Sequence, residues 1–411
     1  MAVIRPFCAV RPAVEYADKV AALPYDVYNR AEAKKEVEKE PLSFLAIDRA
    51  ETQFEDSVSV YAPEVYAKAK ELFEERISQG IFVEDKQSAY YIYQLEMNGR
   101  TQTGIAACAS VDDYLDGTIK KHENTREEKE QDRIRHVDTL SAQTGPIFLA
   151  YRSQAKINQL VSKIMETQEP LYDFTASDGI AHRMWKVTGE AVTTLQEAFA
   201  GIQEIYIADG HHRAASAVKV GLKRRKEHPD HDGTEEFNYF LSVLFPDDQL
   251  MIMDYNRCVK DLHGLTKEAF LKAVEESFDV TVLDGAKHPQ AKGQITMYLE
   301  DCWYLLQAKQ ELLAITDPVA ALDVSLLQEY LLKPVLGIED PRTDERIDFI
   351  GGIRGLEELE RRVQTDMTVA FAMYPTSIGE LFAVADAGLL MPPKSTWFEP
   401  KLRSGLLMHR I

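Results

Sequence analysis

The sequence predicts an α+β fold, in which a mixed α/β core carries additional α/β regions at its N-terminal and C-terminal sides. Three observations lead to this class. Residues 62–80 have the apolar periodicity of an amphipathic helix, residues 89–110 have the pattern of a β-hairpin, and residues 205–213 read as a short strand that turns directly into a helix. Strand and helix patterns continue to alternate beyond these segments, with no repeat of fixed period, so the chain is neither all-α nor all-β.

The length and the charge of the chain restrict its class further. At 411 residues it exceeds the usual size of a single core, and two or three domains are expected. With 67 acidic and 47 basic residues the formal net charge is −20, which disfavours the broad positive surface that nucleic acid or an anionic membrane requires. An anionic ligand must therefore be captured locally, by helix ends and a few Lys or Arg side chains.

The cysteines and the N-terminus predict a cytoplasmic protein. The four cysteines are far apart and form no CxxC pair: Cys8, Cys108, Cys258 and Cys302. This spacing indicates neither a zinc knuckle nor a disulfide framework, and it fits a reducing compartment. Arg5 and Arg11 interrupt what would have to be the apolar core of a signal peptide, and no apolar stretch reaches the length of a membrane span.

The first third of the chain contains a helix followed by a hairpin. The helix pattern over 62–80 places Val65, Ala69 and Phe73 on one face, and Gly80 is positioned to end it. Two strand patterns then flank Asn98-Gly99, a pair that favours a two-residue hairpin turn. An antiparallel element is therefore expected directly after the helix.

The charged run over 120–136 has two interpretations. It is typical of a solvated helix held by Glu–Lys and Glu–Arg pairs. However, residues 113–119 (DYLDGTI) read as a strand, and His122 and Glu123 follow it at the point where a helix would begin. That position favours a functional role for the pair.

Residues 205–213, IYIADGHHR, predict a phosphate-binding site. A helix N-terminus offers unpaired backbone N–H groups and the positive end of a dipole, Gly210 allows close backbone approach, and Arg213 holds an anion with a planar fork. Asp209 does not fit a purely anion-binding role. A carboxylate next to phosphate is repelled unless a metal ion, a proton or a reacting hydroxyl lies between them, so Asp209 indicates chemistry as well as binding.

The rest of the chain continues the alternation and ends in a second basic segment. A strand is expected near 239–245, and helices and strands are expected in the segments 267–283, 294–308, 322–332, 347–363 and 368–375. After Pro392-Pro393 come Lys394, Ser395 and Thr396, and then Lys401, which are phosphate-binding side chains. The ordinary interpretation of this segment is a C-terminal tail packed over the body with its lysines solvated.

Together these stretches resemble the free serine kinases, a branch of the ParB/sulfiredoxin-like superfamily, and a larger uncharacterised family of related bacterial and archaeal chains near this length. The family carries a His-Glu pair after the first core strand, a DGHHR box that opens a helix, and a PKTT-like segment near the C-terminus. The corresponding residues here are His122-Glu123, the box from Asp209 to Arg213, and Pro393 to Thr396, in the same order. The segments LPYDVYNR (23–30) and PLSFLAIDR (41–49) are similar to the longer relatives instead.

The resemblance implies a kinase that phosphorylates the hydroxyl of free L-serine or a similar small metabolite, with ATP or ADP as donor and Mg²⁺ as the metal. Glu123 is the implied general base. The implied nucleotide-binding residues are His122, Gly210, His211, His212, Arg213, Lys394, Ser395 and Thr396. Asp209 either orients the acceptor hydroxyl, binds Mg²⁺, or is itself the base while Glu123 has a structural or metal-binding role.

The resemblance also suggests a division of the chain. Residues 1–88 form an N-terminal α/β region, residues 89–262 form the ParB/sulfiredoxin-like core, and residues 263–411 form a C-terminal α/β domain whose tail (391–405) returns to the active site. The N-terminal region has no counterpart in the compact kinases. It is expected to cover the site and to change the substrate.

Other functions stay open at this level. The DGHHR box is compatible with a non-catalytic nucleotide or metabolite sensor, and with a nucleotide hydrolase switch of the ParB-like type. A metal hydrolase built from His122, Glu123, His136 and Asp138 is a weaker alternative, because residues two apart on a helix, such as His136 and Asp138, face different directions. The oligomeric state is not indicated.

Overall fold

The computed structural model describes residues 1–125 and 127–411. It contains helices and several separate sheets, which confirms the predicted α+β class. The chain forms two compact units: a larger unit, Met1–Leu250 with Pro400–Ile411, and a smaller unit, Met251–Glu399. The division after residues 88 and 262 remains a prediction.

The helices and strands are as follows. The α-helices are α1 Ala17–Val20, α2 Arg30–Lys39, α3 Leu45–Asp48, α4 Pro63–Ser78, α5 Val111–Asp116, α6 Glu127–Leu140, α7 Ala155–Thr167, α8 Glu190–Phe199, α9 His211–Glu227, α10 Lys267–Val274, α11 Gln310–Leu313, α12 Asp323–Leu327, α13 Gly355–Thr365 and α14 Ile378–Asp386. The strands are β1 Ile4–Arg5, β2 Ala9–Pro12, β3 Phe82–Glu84, β4 Tyr90–Met97, β5 Arg100–Ser110, β6 Ile119–Lys120, β7 Ala142–Gln143, β8 Ile147–Tyr151, β9 Tyr172–Thr175, β10 Ala181–Val187, β11 Ile205–Asp209, β12 Tyr239–Pro246, β13 Ile252–Met253, β14 Tyr255–Val259, β15 Phe278–Val282, β16 Gln294–Leu299, β17 Cys302–Ala308, β18 Ile347–Gly351, β19 Val369–Met373, β20 Trp397–Phe398 and β21 Met408–Arg410.

The larger unit is built on a mixed sheet with the strand order β6-β11-β8-β12-β5-β4-β10-β9, and β1 pairs with β5. Strand β11 runs parallel to β6 and antiparallel to β8, and the pairing with β8 shifts register between Ile207 and Asp209. Helix α9 packs on this sheet through small buried residues, Ala214, Ala217 and Val218. The sheet and the helix together fix the turn at Gly210, where the candidate site lies.

The predicted helix and hairpin are confirmed. Helix α4 begins at Pro63, a residue whose fixed φ suits a first helical position. Strands β4 and β5 pair antiparallel from Met97 and Arg100 onwards. Asn98 and Gly99 have φ angles of 54° and 76°, the left-handed pair that a two-residue hairpin turn needs.

The predicted strand over 113–119 is wrong. Its first half is helix α5, because the hydroxyl of Ser110 accepts hydrogen bonds from the N–H groups of Asp112 and Asp113 and so caps a helix start. Gly117, with φ of 84°, ends the helix, and a strand of two residues follows as β6. The pair His122-Glu123 thus follows a short strand, as expected, but α6 begins at Glu127, later than predicted.

The N-terminal segment and the chain end share a second, four-stranded sheet in the larger unit, in the order β3-β2-β21-β7. Its core joins Phe44, Phe73 of α4, Phe82 and Met408. The last strand, β21, pairs with β2 and β7, so the C-terminal residues are part of this unit.

The smaller unit contains a six-stranded sheet in the order β15-β17-β16-β19-β14-β18 and a two-stranded sheet of β13 and β20. The helix and strand expected over 267–283 and the strand pair over 294–308 are confirmed as α10, β15, β16 and β17. The helix expected over 322–332 is α12, which continues as a π-helical turn, Gln328–Leu332. Among the described helices of both units, none combines the length and the apolar character needed to cross a bilayer.

The position of α9 depends on Gly221, and this gives a stability prediction. An added Cβ at Gly221 would lie 2.5 Å from the carbonyl oxygen of Phe237 and 3.3 Å from Val111. Gly221→Ala is therefore expected to destabilise the protein by about 1–3 kcal/mol through overpacking, although alanine favours a helix by about 1 kcal/mol. Urea unfolding measures the change.

The control for this prediction is Gly201→Ala. An added Cβ there would have its nearest neighbour, the carbonyl oxygen of Ala198, at 3.5 Å, an ordinary contact. Its effect is expected to stay within about 0.5 kcal/mol. Equal stability of the two variants would contradict the close packing at Gly221.

Candidate functional site

The turn between β11 and α9 forms a helix N-terminus open to an anion. Gly210 has φ of 92° and ψ of 33°, a left-handed conformation that favours glycine, and an added Cβ would lie 2.9 Å from Nε of Arg213. The first backbone bond of the helix is donated by Ala214 to the carbonyl of Gly210, at 2.9 Å. The amides of His211, His212 and Arg213 precede that bond, and in such a position they can bind an anion.

Two basic side chains meet the carboxylate of Asp209 beside this turn. Nη2 of Arg213 lies 3.5 Å from Oδ2 of Asp209, and Nη1 of Arg213 donates to the carbonyl of Pro146 at 2.5 Å. Nζ of Lys401 lies 3.6 Å from the same Oδ2. The basic groups at the site are therefore held by Asp209, and this gives the carboxylate a positioning role.

These contacts keep Asp209 ionised. Burial opposes ionisation, but Lys401 and Arg213 outweigh it and lower the pKa of Asp209 to about 2. Because the folded-state pKa lies below the ordinary value of 3.8, the carboxylate stabilises the fold fully above about pH 4 and loses this contribution as the pH falls towards 2.

We expect the difference in unfolding free energy between wild type and Asp209→Asn to be largest above pH 4 and to shrink as the pH is lowered. At low pH the wild-type carboxyl is protonated and no longer pairs with Lys401 and Arg213. Urea midpoints of both proteins between pH 6 and pH 2.5 measure this. A difference that does not change with pH would show that Asp209 is not the titrating group.

Two buried histidines pack edge to face next to the turn. The ring centroids of His122 and His211 are 4.5 Å apart with an interplanar angle of 84°. Burial lowers the pKa of His122 to about 4, and burial together with the neighbouring His122 lowers the pKa of His211 well below its ordinary value. Both rings are therefore neutral at physiological pH, so they orient groups by hydrogen bonding and carry no positive charge for a phosphate.

Glu123 lies against the second of these rings. Its Oε2 is 3.8 Å from Nδ1 of His211, and its side chain is 46% exposed. The backbone N–H of His122 approaches Nε2 of His211 at 3.5 Å, which makes Nε2 the acceptor and leaves the ring proton on Nδ1, facing Glu123. A solvent-accessible carboxylate thus lies at the first residue of α9, next to the amides of its first turn.

The structure brings together most of the predicted site residues: Asp209, Gly210, His211, His212, Arg213, His122 and Glu123 lie around one helix end of the larger unit. Lys401 joins them at Asp209, and sequence reasoning had grouped it with the C-terminal phosphate ligands, not with this carboxylate. Lys401 and Asp209 are far apart along the chain, so no local pattern could predict their contact. The sequence indicated only that Lys401 is a basic side chain able to bind an anion.

The remaining predicted residues, Lys394, Ser395 and Thr396, belong to the smaller unit. Lys394 has φ of 60°, and its ammonium lies 5.5 Å from the centroid of the Tyr255 ring. Oγ of buried Ser395 donates to the carbonyl of Pro392 at 2.6 Å, a bond that closes the turn. A role of this segment at the phosphate site stays a prediction.

The described residues offer few side-chain ligands for the predicted Mg²⁺. Across residues 1–125 and 127–411, no group of three or more His, Cys, Asp or Glu side chains is arranged to hold a metal ion. The ionised Asp209 fits an ion such as Mg²⁺ that takes most of its ligands from phosphate and water. Any Mg²⁺ here would therefore be bound with an anionic ligand.

The fold and the site define a class: an α+β protein in which a helix N-terminus is bordered by two neutral histidines and two carboxylates. The chain belongs to the family described as "Protein of unknown function (DUF1015)", which matches residues 4–325. The comparison with curated proteins returns no match.

Several solved structures are similar to the chain. A mutant of free serine kinase in complex with AMP is 14% identical, with a TM-score of 0.36, over 73% of this chain and 92% of that one. SbnI from Staphylococcus aureus, truncated at its C-terminus, is 12% identical, with a TM-score of 0.39, over 73% and 87%. A conserved hypothetical protein from Pyrococcus furiosus is 15% identical, with a TM-score of 0.35, over 74% and 94%. Likeness at this level does not define the activity of this chain.

Proposed function

We propose that this protein is a nucleotide-dependent kinase of a small hydroxyl metabolite, with ATP or ADP as donor and free L-serine as the first acceptor to test. The observation that carries the proposal is the position of Glu123. Its accessible carboxylate lies 3.8 Å from the ring of His211, the residue that begins the anion-binding helix. A candidate general base and a candidate phosphate cradle therefore meet at one helix end, as phosphoryl transfer requires.

The cradle has the chemistry to bind the phosphates. The amides of the first turn of α9 would donate hydrogen bonds to an anion, and the helix dipole favours negative charge at this end. Arg213 adds a planar fork whose direction is fixed by Pro146 and Asp209. Lys394, Ser395 and Thr396 are proposed as further phosphate ligands, and His122 as a residue that supports the nucleotide site.

Glu123 is favoured over Asp209 as the base. The pKa of Asp209 is lowered to about 2, which makes its carboxylate a weak proton acceptor, and two cations already face it. Glu123 would accept the proton of the acceptor hydroxyl while the hydroxyl oxygen attacks the terminal phosphorus and the bond to the leaving nucleotide breaks. Asp209 is proposed to position Arg213 and to hold Mg²⁺, which would neutralise charge on the bound phosphates.

The test is a direct assay. The purified protein is incubated with ATP or ADP, Mg²⁺ and a panel of small hydroxyl compounds that includes L-serine, and phosphorylated products are detected by ³¹P NMR. A phosphomonoester that depends on both nucleotide and acceptor supports the kinase. Tight nucleotide binding without a product or released phosphate would instead identify a sensor, and phosphate release without an acceptor product would identify a hydrolase.

A further inference from the structure

A polar cavity lies in the larger unit, outside the candidate phosphate site. It has a volume of about 210 Å³ and lies between the N-terminal segment and α6. A narrower cavity of about 30 Å³ shares Tyr25, Asp48, Arg133 and His136 with it and extends to Arg213. The two cavities are therefore neighbours, and the smaller one reaches Arg213 of the candidate site.

His136, which lines both cavities, is a buried polar side chain without a hydrogen-bond partner. It is 3% exposed, and neither of its ring nitrogens is hydrogen-bonded to any residue that the structure describes. Nε2 lies 3.5 Å from Oδ1 of Asp48, a close contact without the geometry of a hydrogen bond. An unsatisfied buried donor and acceptor cost stability, so such a pair in a cavity indicates a ligand that completes them.

Two pairs of opposite charges in the cavity wall are satisfied inside the protein. Arg49 pairs with Glu51 at 2.5 Å, and Arg133 pairs with Asp132 at 2.7 Å. Burial, together with the neighbouring Arg133, lowers the pKa of His136 well below its ordinary value, so the ring is neutral.

The other charged residues of the lining are either disfavoured in their charged form or in contact with solvent. Burial raises the pKa of Asp48 and so disfavours its charge, and Asp26 and Lys129 are exposed. The buried part of the wall therefore presents little surplus charge to balance a desolvated ammonium or carboxylate.

The remaining polar groups suit hydroxyls. A neutral imidazole offers one donor and one acceptor, and a hydroxyl group can both donate and accept. Asp48 accepts a hydrogen bond from Oγ1 of Thr144 at 2.9 Å and faces the same space. The other walls include four tyrosines, Tyr25, Tyr28, Tyr61 and Tyr66, whose flat rings can pack against the C–H faces of a polyol or sugar ring.

We propose that this cavity binds a small neutral polyhydroxylated molecule, a polyol or a monosaccharide, with hydroxyl groups paired to His136 and Asp48. That this bound molecule is the phosphate acceptor rests on the proposed kinase function, whereas the binding of the molecule to the cavity does not. The N-terminal segment, which supplies Tyr25, Asp48 and Tyr61, thus selects the acceptor.

The experiment measures ligand binding by saturation-transfer NMR on the full chain without nucleotide. The probes are myo-inositol, xylitol, D-ribose and D-glucose, compared with L-serine, ethanolamine and adenosine. At least one neutral polyol is expected to bind in the cavity, whereas L-serine, ethanolamine and adenosine are not. His136→Leu is expected to weaken polyol binding at least about fivefold, and His136→Asn, which keeps a donor and an acceptor, to retain most of it.

A rim variant and a matched control guard against misfolding. Tyr61 is 38% exposed, so Tyr61→Ala removes one wall with little risk to the fold and is expected to weaken polyol binding, whereas Tyr330→Ala in the smaller unit leaves it unchanged. Binding of L-serine, ethanolamine or adenosine to the cavity, or equal polyol affinity in all variants, would overturn the proposal.

Kinase assays separate this proposal from the proposed function. If a polyol binds and is never phosphorylated with ATP or ADP, the binding site stands and the kinase function fails. If L-serine is phosphorylated and no polyol binds, the kinase function stands and the cavity assignment fails.

Discussion

Replacement of Glu123 by glutamine is expected to lower kinase turnover by about 10²–10⁴-fold while leaving nucleotide affinity close to that of the wild type. The amide keeps the size of the side chain but cannot accept the acceptor's proton. The side chain of Glu123 is 46% exposed, so the fold should tolerate the change. Turnover under saturating substrates and nucleotide affinity by calorimetry measure the two parts separately.

Two further variants test whether the loss of turnover is specific to the carboxylate of Glu123. Glu127→Gln changes an exposed carboxylate in the first turn of α6, four residues along the chain, and should leave turnover unchanged. Asp209→Asn should weaken nucleotide binding, because Arg213 and Lys401 lose their common partner. If Asp209→Asn abolished turnover with normal affinity and Glu123→Gln did not, the roles of the two carboxylates would be reversed.

The parts of the fold that the sequence predicted are those determined by neighbouring residues. Asn98-Gly99 adopts positive φ at both positions and so determines a hairpin by itself. The apolar stripe of α4 and the turn at Gly210 are likewise local features. The strand predicted over 113–119 was wrong because a hydroxyl one turn earlier, that of Ser110, caps a helix that begins at Val111.

The candidate site was predictable only where its residues share one turn. The box from Asp209 to Arg213 was found because the strand, the glycine and the helix start are contiguous. The ion pair of Lys401 with Asp209 could not be predicted, since it depends on the return of the chain end to the larger unit. The contact of Asp48 with His136 depends on how α3 and α6 pack, which no local pattern encodes.

The second large effect is expected at Arg213. Arg213→Lys keeps the positive charge but loses the planar fork, which at present donates to Pro146 and faces Asp209. Because a hydrogen bond to a charged group contributes about 1.5–3 kcal/mol, the affinity for ATP or ADP should fall by about 10–150-fold. Calorimetric titration with each nucleotide measures the loss.

Arg225→Lys on the same helix is the matched control for this variant. Arg225 also forms a forked contact, to both carboxylate oxygens of Asp112 at 2.7 and 3.0 Å, but it lies about 18 Å further along the helix axis. Its replacement should leave nucleotide affinity unchanged, because the anion-binding amides and the helix dipole act within the first turn. Equal losses in both variants would mean that α9 as a whole had been weakened, and then the N-terminus of α9 would not be the nucleotide site.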